Sequence, residues 1–208
     1  MASLKFLKVV VITLLLFLSS NLYASKYVLS DDGLIDKRAI GKIEEIGNET
    51  SAKLNVNIYV YAKSSLGLDS NISTKDKIKY IKDHESQILD SLKKPYVLLT
   101  MSVEDTHVNL IVSSSLKDVV EKNEILNGYV VPLLASKDKN STFAKASAAI
   151  LNGYAAIADT IAESKGIELE SSIGSSGKVA GTIWRVFMYT LIILGILLYM
   201  YAVLKRKK

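Results

Sequence analysis

The sequence predicts an α/β fold: a small mixed β-sheet with helices on both faces, followed by one C-terminal transmembrane helix. Three observations predict it. Amphipathic stretches with apolar residues three or four apart alternate with short β-branched or aromatic runs. Two of those runs, YVLLTMS and HVNLIVS, are separated by the four-residue turn VEDT, which suits an antiparallel hairpin. Finally, the 19 residues from Val186 to Leu204 carry no charge and run straight into KRKK.

The elements follow in order. A further short strand fits Lys26 to Leu29. From Asp36 to Lys53, Ile40, Ile43 and Ile46 recur at spacing three, with Leu54 following, as one face of a helix requires. VNIYVYA, from Val56 to Ala62, has the composition of a strand. After the loop SSLGLDSNIS, Ser73 and Asp76 form a capping-box pattern, opening a helix to about Lys93 with Ile78, Ile81, Ile88 and Leu89 on one face. Pro95 stops it. YVLLTMS, from Tyr96 to Ser102, is apolar on both faces and reads as a central strand. In HVNLIVS, Val108, Leu110 and Val112 alternate with more polar residues. A helix starting near Leu116 is interrupted at Asn127 and Gly128, and Val130 to Leu134 pack inward. A long Ala-rich helix runs from Thr142 to about Lys165 and ends at Gly166.

Charge and composition exclude several classes. The chain has 208 residues and a net charge of +5, yet residues 26–182 hold 19 Lys+Arg against 21 Asp+Glu. The excess cations sit at the two ends, so the domain has no basic bias and no nucleic-acid partner is expected. There are no cysteines, which excludes disulfides, thiolate metal sites and cysteine nucleophiles.

The ends have separate roles. Lys5 and Lys8 precede the run from Val9 to Leu18, which is apolar except for Thr13 and too short to span a bilayer. Residues 1–24 therefore read as a secretory signal peptide cleaved after Ala24, with an uncleaved anchor as the other reading. Residues 183–204 read as a transmembrane helix, about 28 Å long over its uncharged part at 1.5 Å per residue. Trp184 and Arg185 mark one membrane edge, and Lys205, Arg206, Lys207 and Lys208 hold the other end in the cytoplasm. The expected organisation is signal, extracytoplasmic domain over 25–166, flexible linker over 167–182, anchor and cytoplasmic tail. A single-pass protein of a bacterial inner membrane, with its domain in the periplasm, fits this order. The partners expected are the lipid bilayer and other membrane proteins.

The stretches SDDGLIDKRAIGKIEEI and LNVNIYVYAKSSLG, and the long run from VNLIVSSSLKDVV to YAAIADTI, resemble the TPM domain family. The resemblance covers about Tyr27 to Gly166. It implies an α/β sandwich around a small mixed sheet and a part in the upkeep or assembly of membrane complexes. It also implies two alternatives, since some relatives are described as acid phosphatases and some bind calcium. The family's patterns are loose and contain no invariant catalytic signature.

Several residues are candidate sites, each with a plainer reading. Asp31 and Asp32, with Asp36 nearby, offer carboxylates for a hard cation such as calcium, or simply make the turn into the first helix. Ser114 and Ser115 lie between a strand and a helix, where free N–H groups can hold a phosphate oxygen; alternatively Ser115 caps the helix, answered by Asp118. Glu104 and Asp105 belong to the hairpin tip. His84 and His107 lack zinc-site spacing and read as surface residues. No nucleophile elbow is present. Three glycosylation sequons occur, at Asn48, Asn71 and Asn140. In two of them, DSNIS and DKNST, an acid stands two residues before the Asn, which resembles the extended acceptor pattern of bacterial periplasmic N-glycosylation.

Overall fold

The computed structural model describes residues 25–69 and 71–174, together with Thr190. The expected signal peptide, the transmembrane segment other than Thr190, and the basic tail lie outside the described residues. Among the described residues no helix is long and apolar enough to cross a membrane.

The chain begins with β1 (Val28–Asp31), on the short stretch where the sequence allows a strand. Asp36 then starts α1 (Lys37–Leu54): its carboxylate accepts from the Arg38 N–H at 2.9 Å, which satisfies one orphan donor of the first turn. The isoleucine period is realised as expected. Ile43 and Ile46 are fully buried, each contributing about 2 kcal/mol through removal from water. Asn55, at φ 53°, takes the left-handed conformation that ends the helix. β2 (Asn57–Lys63) follows, then α2 (Thr74–Leu89). The Ser73 hydroxyl accepts from the Asp76 N–H at 3.2 Å and donates to its carboxylate at 2.7 Å, so Ser73 caps the helix and Asp76 answers through the hydroxyl. The hairpin of β3 (Tyr96–Ser102) and β4 (His107–Val112) is antiparallel, pairing Thr100 with Asn109 and Ser102 with His107.

α2 ends at Leu89, short of the expected Lys93, and three further stretches differ from the sequence expectation. The helix expected near Leu116 is only a 3-10 turn, Ser114–Leu116, with Ser113 rather than Ser115 at the cap position. Regular helix resumes as α3 (Lys122–Ile125), then widens into a π-helical segment, Leu126–Val130, before α4 (Val131–Leu134). Pro132, in the first turn of α4, has no N–H to continue the α-helical ladder, and the wider turn lies just before it. Finally α5 (Thr142–Ser164) ends as expected at Gly166, φ +66°. Gly166 N–H donates to Glu163 and Ile167 N–H to Ala162, a Schellman ending. The segment beyond it, expected as a flexible tether, is packed as far as Ser172. Leu169 is 1% exposed, and Glu49 on α1 accepts from the Glu170 and Ser171 N–H groups at 2.9 and 2.8 Å.

The sheet order is β1-β2-β3-β4, with β1, β2 and β3 parallel and β4 antiparallel at the far edge. The expected mixed sheet is present. Alternation along β3 divides its two faces. Leu99 points to α5, where it lies near Gly153, whereas Thr100 points the other way, to Glu85 of α2. α1 and α5 lie side by side on the first face. The Asp36 N–H donates to Ser147 Oγ at one end, and Lys165 Nζ donates to the Leu54 carbonyl at the other. This layer holds the main core, with Ile43, Ile46, Ile58, Leu99, Ile150 and Ile157 fully buried. The two parallel crossovers, through α1 and through α2, step the same way across the sheet but lie on opposite faces. Their hands are therefore opposite, and one departs from the right-handed rule.

Candidate functional site

The second sheet face is polar along one row. Tyr61 of β2, Thr100 of β3 and Asn109 of β4 are register partners, with His107 two pairs further along β4, on the same face. α2 lies over this row and lowers Glu85 onto it. Glu85 is four residues from both Ile81 and Leu89, so helix geometry puts it on the buried stripe, and it is 6% exposed.

A buried carboxylate needs donors, and the sheet supplies three. Glu85 Oε1 accepts from the Thr100 hydroxyl at 2.5 Å and lies 2.9 Å from His107 Nε2, while Oε2 accepts from Asn109 Nδ2 at 2.8 Å. Burial works against the charge, but these bonds outweigh it and hold the carboxyl below its ordinary range. Lys122 Nζ donates to the Asn109 side-chain carbonyl, which extends the chain to α3. Beside it, His84 Nε2 and the Tyr61 hydroxyl share a hydrogen bond at 2.9 Å, and His84 stacks on Tyr80. Burial pushes the Tyr61 hydroxyl up. Each member of this network is bonded to another, so its effect is to fix α2 against the sheet.

α2 does not cover the whole face. Between it and β4 lies a cleft of about 510 Å³. Ile78, Ile81, Leu89, Val108 and Ile111 give it apolar walls, and Glu85, His107, Asn109 and Lys122 give it a polar base. Ile78 is 62% exposed at its mouth. A second hollow, about 530 Å³, lies between the starts of α1 and α5, beside Asp36, Arg38 and the exposed Phe143.

The residues singled out from the sequence go elsewhere. Asp31 Oδ1 accepts from the Leu34 and Ile35 N–H groups at 2.7 and 3.0 Å, an internal turn. Asp32 binds Lys63 Nζ at 2.9 Å and the Ser64 N–H at 3.1 Å, and the Lys63 bond holds its carboxyl low. Asp36 caps α1. Each of the three is committed to a local partner, and among the described residues no three His, Asp or Glu side chains converge as a hard cation requires. Ser114 and Ser115 are exposed on a three-residue turn. Their neighbour Ser113 pairs with Tyr96, at the start of β3. Asp32 instead lies by Lys63, which pairs with Ser102 at the end of β3. The serine and carboxylate candidates therefore stand at opposite ends of the sheet, about 20 Å apart along the strand, and form no single phosphatase site. Asp105 of the hairpin tip is buried and accepts from the Leu66 N–H at 2.7 Å, tying the loop after β2 to the turn.

The pairing of buried Glu85 with half-buried His107, and the cleft beside it, were not singled out from the sequence. Two signals carried them: the polar alternation His107, Asn109 along β4, and an acid in phase with Ile81 and Leu89 on α2.

No protein-family model matches the chain, and no curated protein matches it. Among solved structures, the fold is similar to the solution NMR structure of the N-terminal domain of a protein from P. gingivalis. The TM-score is 0.50 at 12% sequence identity, over 67% of this chain and 84% of that one. At that identity the likeness shows the fold alone: a mixed α/β domain.

Proposed function

We propose that the chain is a membrane-tethered, extracytoplasmic binding module that assists the assembly or maintenance of a membrane protein complex, and that it holds a partner protein in the cleft between α2 and β4. The cleft is the observation that carries this reading. Apolar walls around a few fixed polar groups suit recognition. The polar groups at its base are bonded to one another, which favours contact over catalysis. The tether rests on the uncharged run from Val186 to Leu204, closed by Lys205, Arg206, Lys207 and Lys208. The resemblance of the sequence to TPM domains supports the assignment to membrane-complex upkeep.

The test compares two single substitutions in the full chain, extracted from membranes in mild detergent and recovered by an affinity tag. Ile78→Asp alters the cleft mouth, and Phe143→Asp alters the second hollow. Both residues are exposed, so neither change costs core packing. The native chain and Phe143→Asp should recover the same membrane proteins, and Ile78→Asp should recover them about tenfold less, the loss of a contact worth more than 1 kcal/mol. Equal recovery with Ile78→Asp, or background proteins alone with the native chain, contradicts the proposal.

A further inference from the structure

The three N-glycosylation sequons are not equivalent in the folded chain. Asn48 lies inside α1, with its hydroxyl partner Thr50 two residues on. Residues two apart on a helix point to opposite sides, about 200° apart at 100° per residue. The structure shows the consequence. Asn48 is exposed and accepts from the Tyr27 hydroxyl at 3.3 Å, whereas Thr50 is 0% exposed and donates to the Ile46 carbonyl at 2.7 Å. An enzyme reading both groups of the sequon at once cannot reach them there.

Asn71 and Asn140 are placed differently. Each is exposed in the loop just before a long helix. Asn71 precedes α2, and its sequon partner Ser73 is exposed at the cap position. Asn140 precedes α5, and its partner Thr142 is exposed at the first helical position. In both loops the acid two residues earlier accepts the N–H of the Asn itself: Asp69 from Asn71 at 2.8 Å, and Asp138 from Asn140 at 3.0 Å. Asp138 is also paired with Lys145 at 3.4 Å. The two sequons with the acid are thus the two that the fold presents, in the same local arrangement, while Asn48 has the buried Ile46 in the acid's position.

We infer that Asn71 and Asn140 are acceptor sites for an N-linked oligosaccharide and that Asn48 is not. The donor is an oligosaccharide on a polyprenyl pyrophosphate carrier, transferred by a membrane oligosaccharyltransferase of the class that reads an acid at the −2 position. The Asn Nδ2 forms a bond to the anomeric carbon as the bond from that carbon to the pyrophosphate oxygen breaks. The carrier pyrophosphate leaves with the electron pair, and the amide proton passes to a carboxylate of the transferase. The inference rests on the extracytoplasmic placement proposed above, since the transfer takes place on that side of the membrane.

The full chain, tagged at its C-terminus, is expressed in bacteria with and without such a transferase and its glycan pathway, and its mobility is read by immunoblot. The native chain should gain two retarded steps. Asn71→Gln and Asn140→Gln should each remove one, as should Asp69→Ala and Asp138→Ala, and the double Asn variant should show none. Asn48→Gln should keep both. Glycopeptides from the native chain, identified by mass spectrometry, should contain Asn71 and Asn140, a readout independent of how any variant folds. Protease added to spheroplasts of the same cells reports the placement. An unmodified chain whose domain is cleaved by external protease overturns this inference and leaves the placement standing. An unmodified chain whose domain is protected overturns both. A glycan on Asn48 overturns the geometric argument.

Discussion

Glu49 shows what one side chain can hold. It sits on α1 between Lys53, at 2.7 Å, and the segment that follows α5, where it also accepts from the Ser171 hydroxyl. Burial opposes its charge, but the bonds from Lys53, Ser171 and Glu170 outweigh it and lower the pKa from 4.5 to about 2. A depressed folded value stabilises the fold at pH above the unfolded value, and this contribution is lost as pH falls from 4.5 towards 2. Glu49→Gln should therefore lower stability at pH 7 by about 1–3 kcal/mol, with the difference from the native chain shrinking to nothing near pH 2. Thermal unfolding followed from pH 7 to pH 2 checks this, and parallel curves for the two chains contradict it. The clamp was not legible in the sequence, because Glu49 and Ser171 are 122 residues apart and neither stands in a motif. Glu85 was half legible: its phase on α2 is local information, but its donors come from two strands whose register the sequence leaves open. His84 and His107, read as surface residues, are half-buried, and their bonds to Tyr61 and Glu85 were not legible for the same reason.

At the scale of elements, the sequence was most informative where the periodicity was strong. The Ile spacing of α1, the Ser73–Asp76 cap of α2, the hairpin and the Gly166 ending all describe interactions within a few residues. It was least informative between Leu116 and Leu134, where short turns and a π-helical widening are fixed by packing against α5. Two glycines of α1 separate local propensity from that packing. A Cβ on Gly47 would lie 2.5 Å from the Tyr154 hydroxyl and from the Tyr27 ring, whereas one on Gly41 would meet nothing within 4 Å. Gly47→Ala should lower stability by about 1–3 kcal/mol through overpacking, whereas Gly41→Ala should raise it by about 0.5–1 kcal/mol. Urea unfolding of both variants measures the two signs directly. A stabilised Gly47→Ala would mean that α1 and α5 approach less closely than described here.

For the whole molecule, two layers of different character meet at one sheet. The face beneath α1 and α5 is apolar and forms the main core. The face beneath α2 is polar along one row and only partly covered, and that partial cover leaves the cleft. The α/β class, with helices on both faces of a sheet, was legible from the order of the elements, and the mixed sheet was implied by the resemblance to TPM domains. Which face each helix takes was not, because opposite crossover hands put α1 and α2 on different sides. On the proposed reading, the cleft and the loops carrying Asn71 and Asn140 all face the exterior compartment, since the charged tail holds the last residues inside. The most direct test of that orientation is a pair of fusions after Lys208, one to a reporter active only in the cytoplasm and one to a reporter active only outside it. The account predicts activity from the cytoplasmic reporter alone. Activity from the external reporter alone would contradict it.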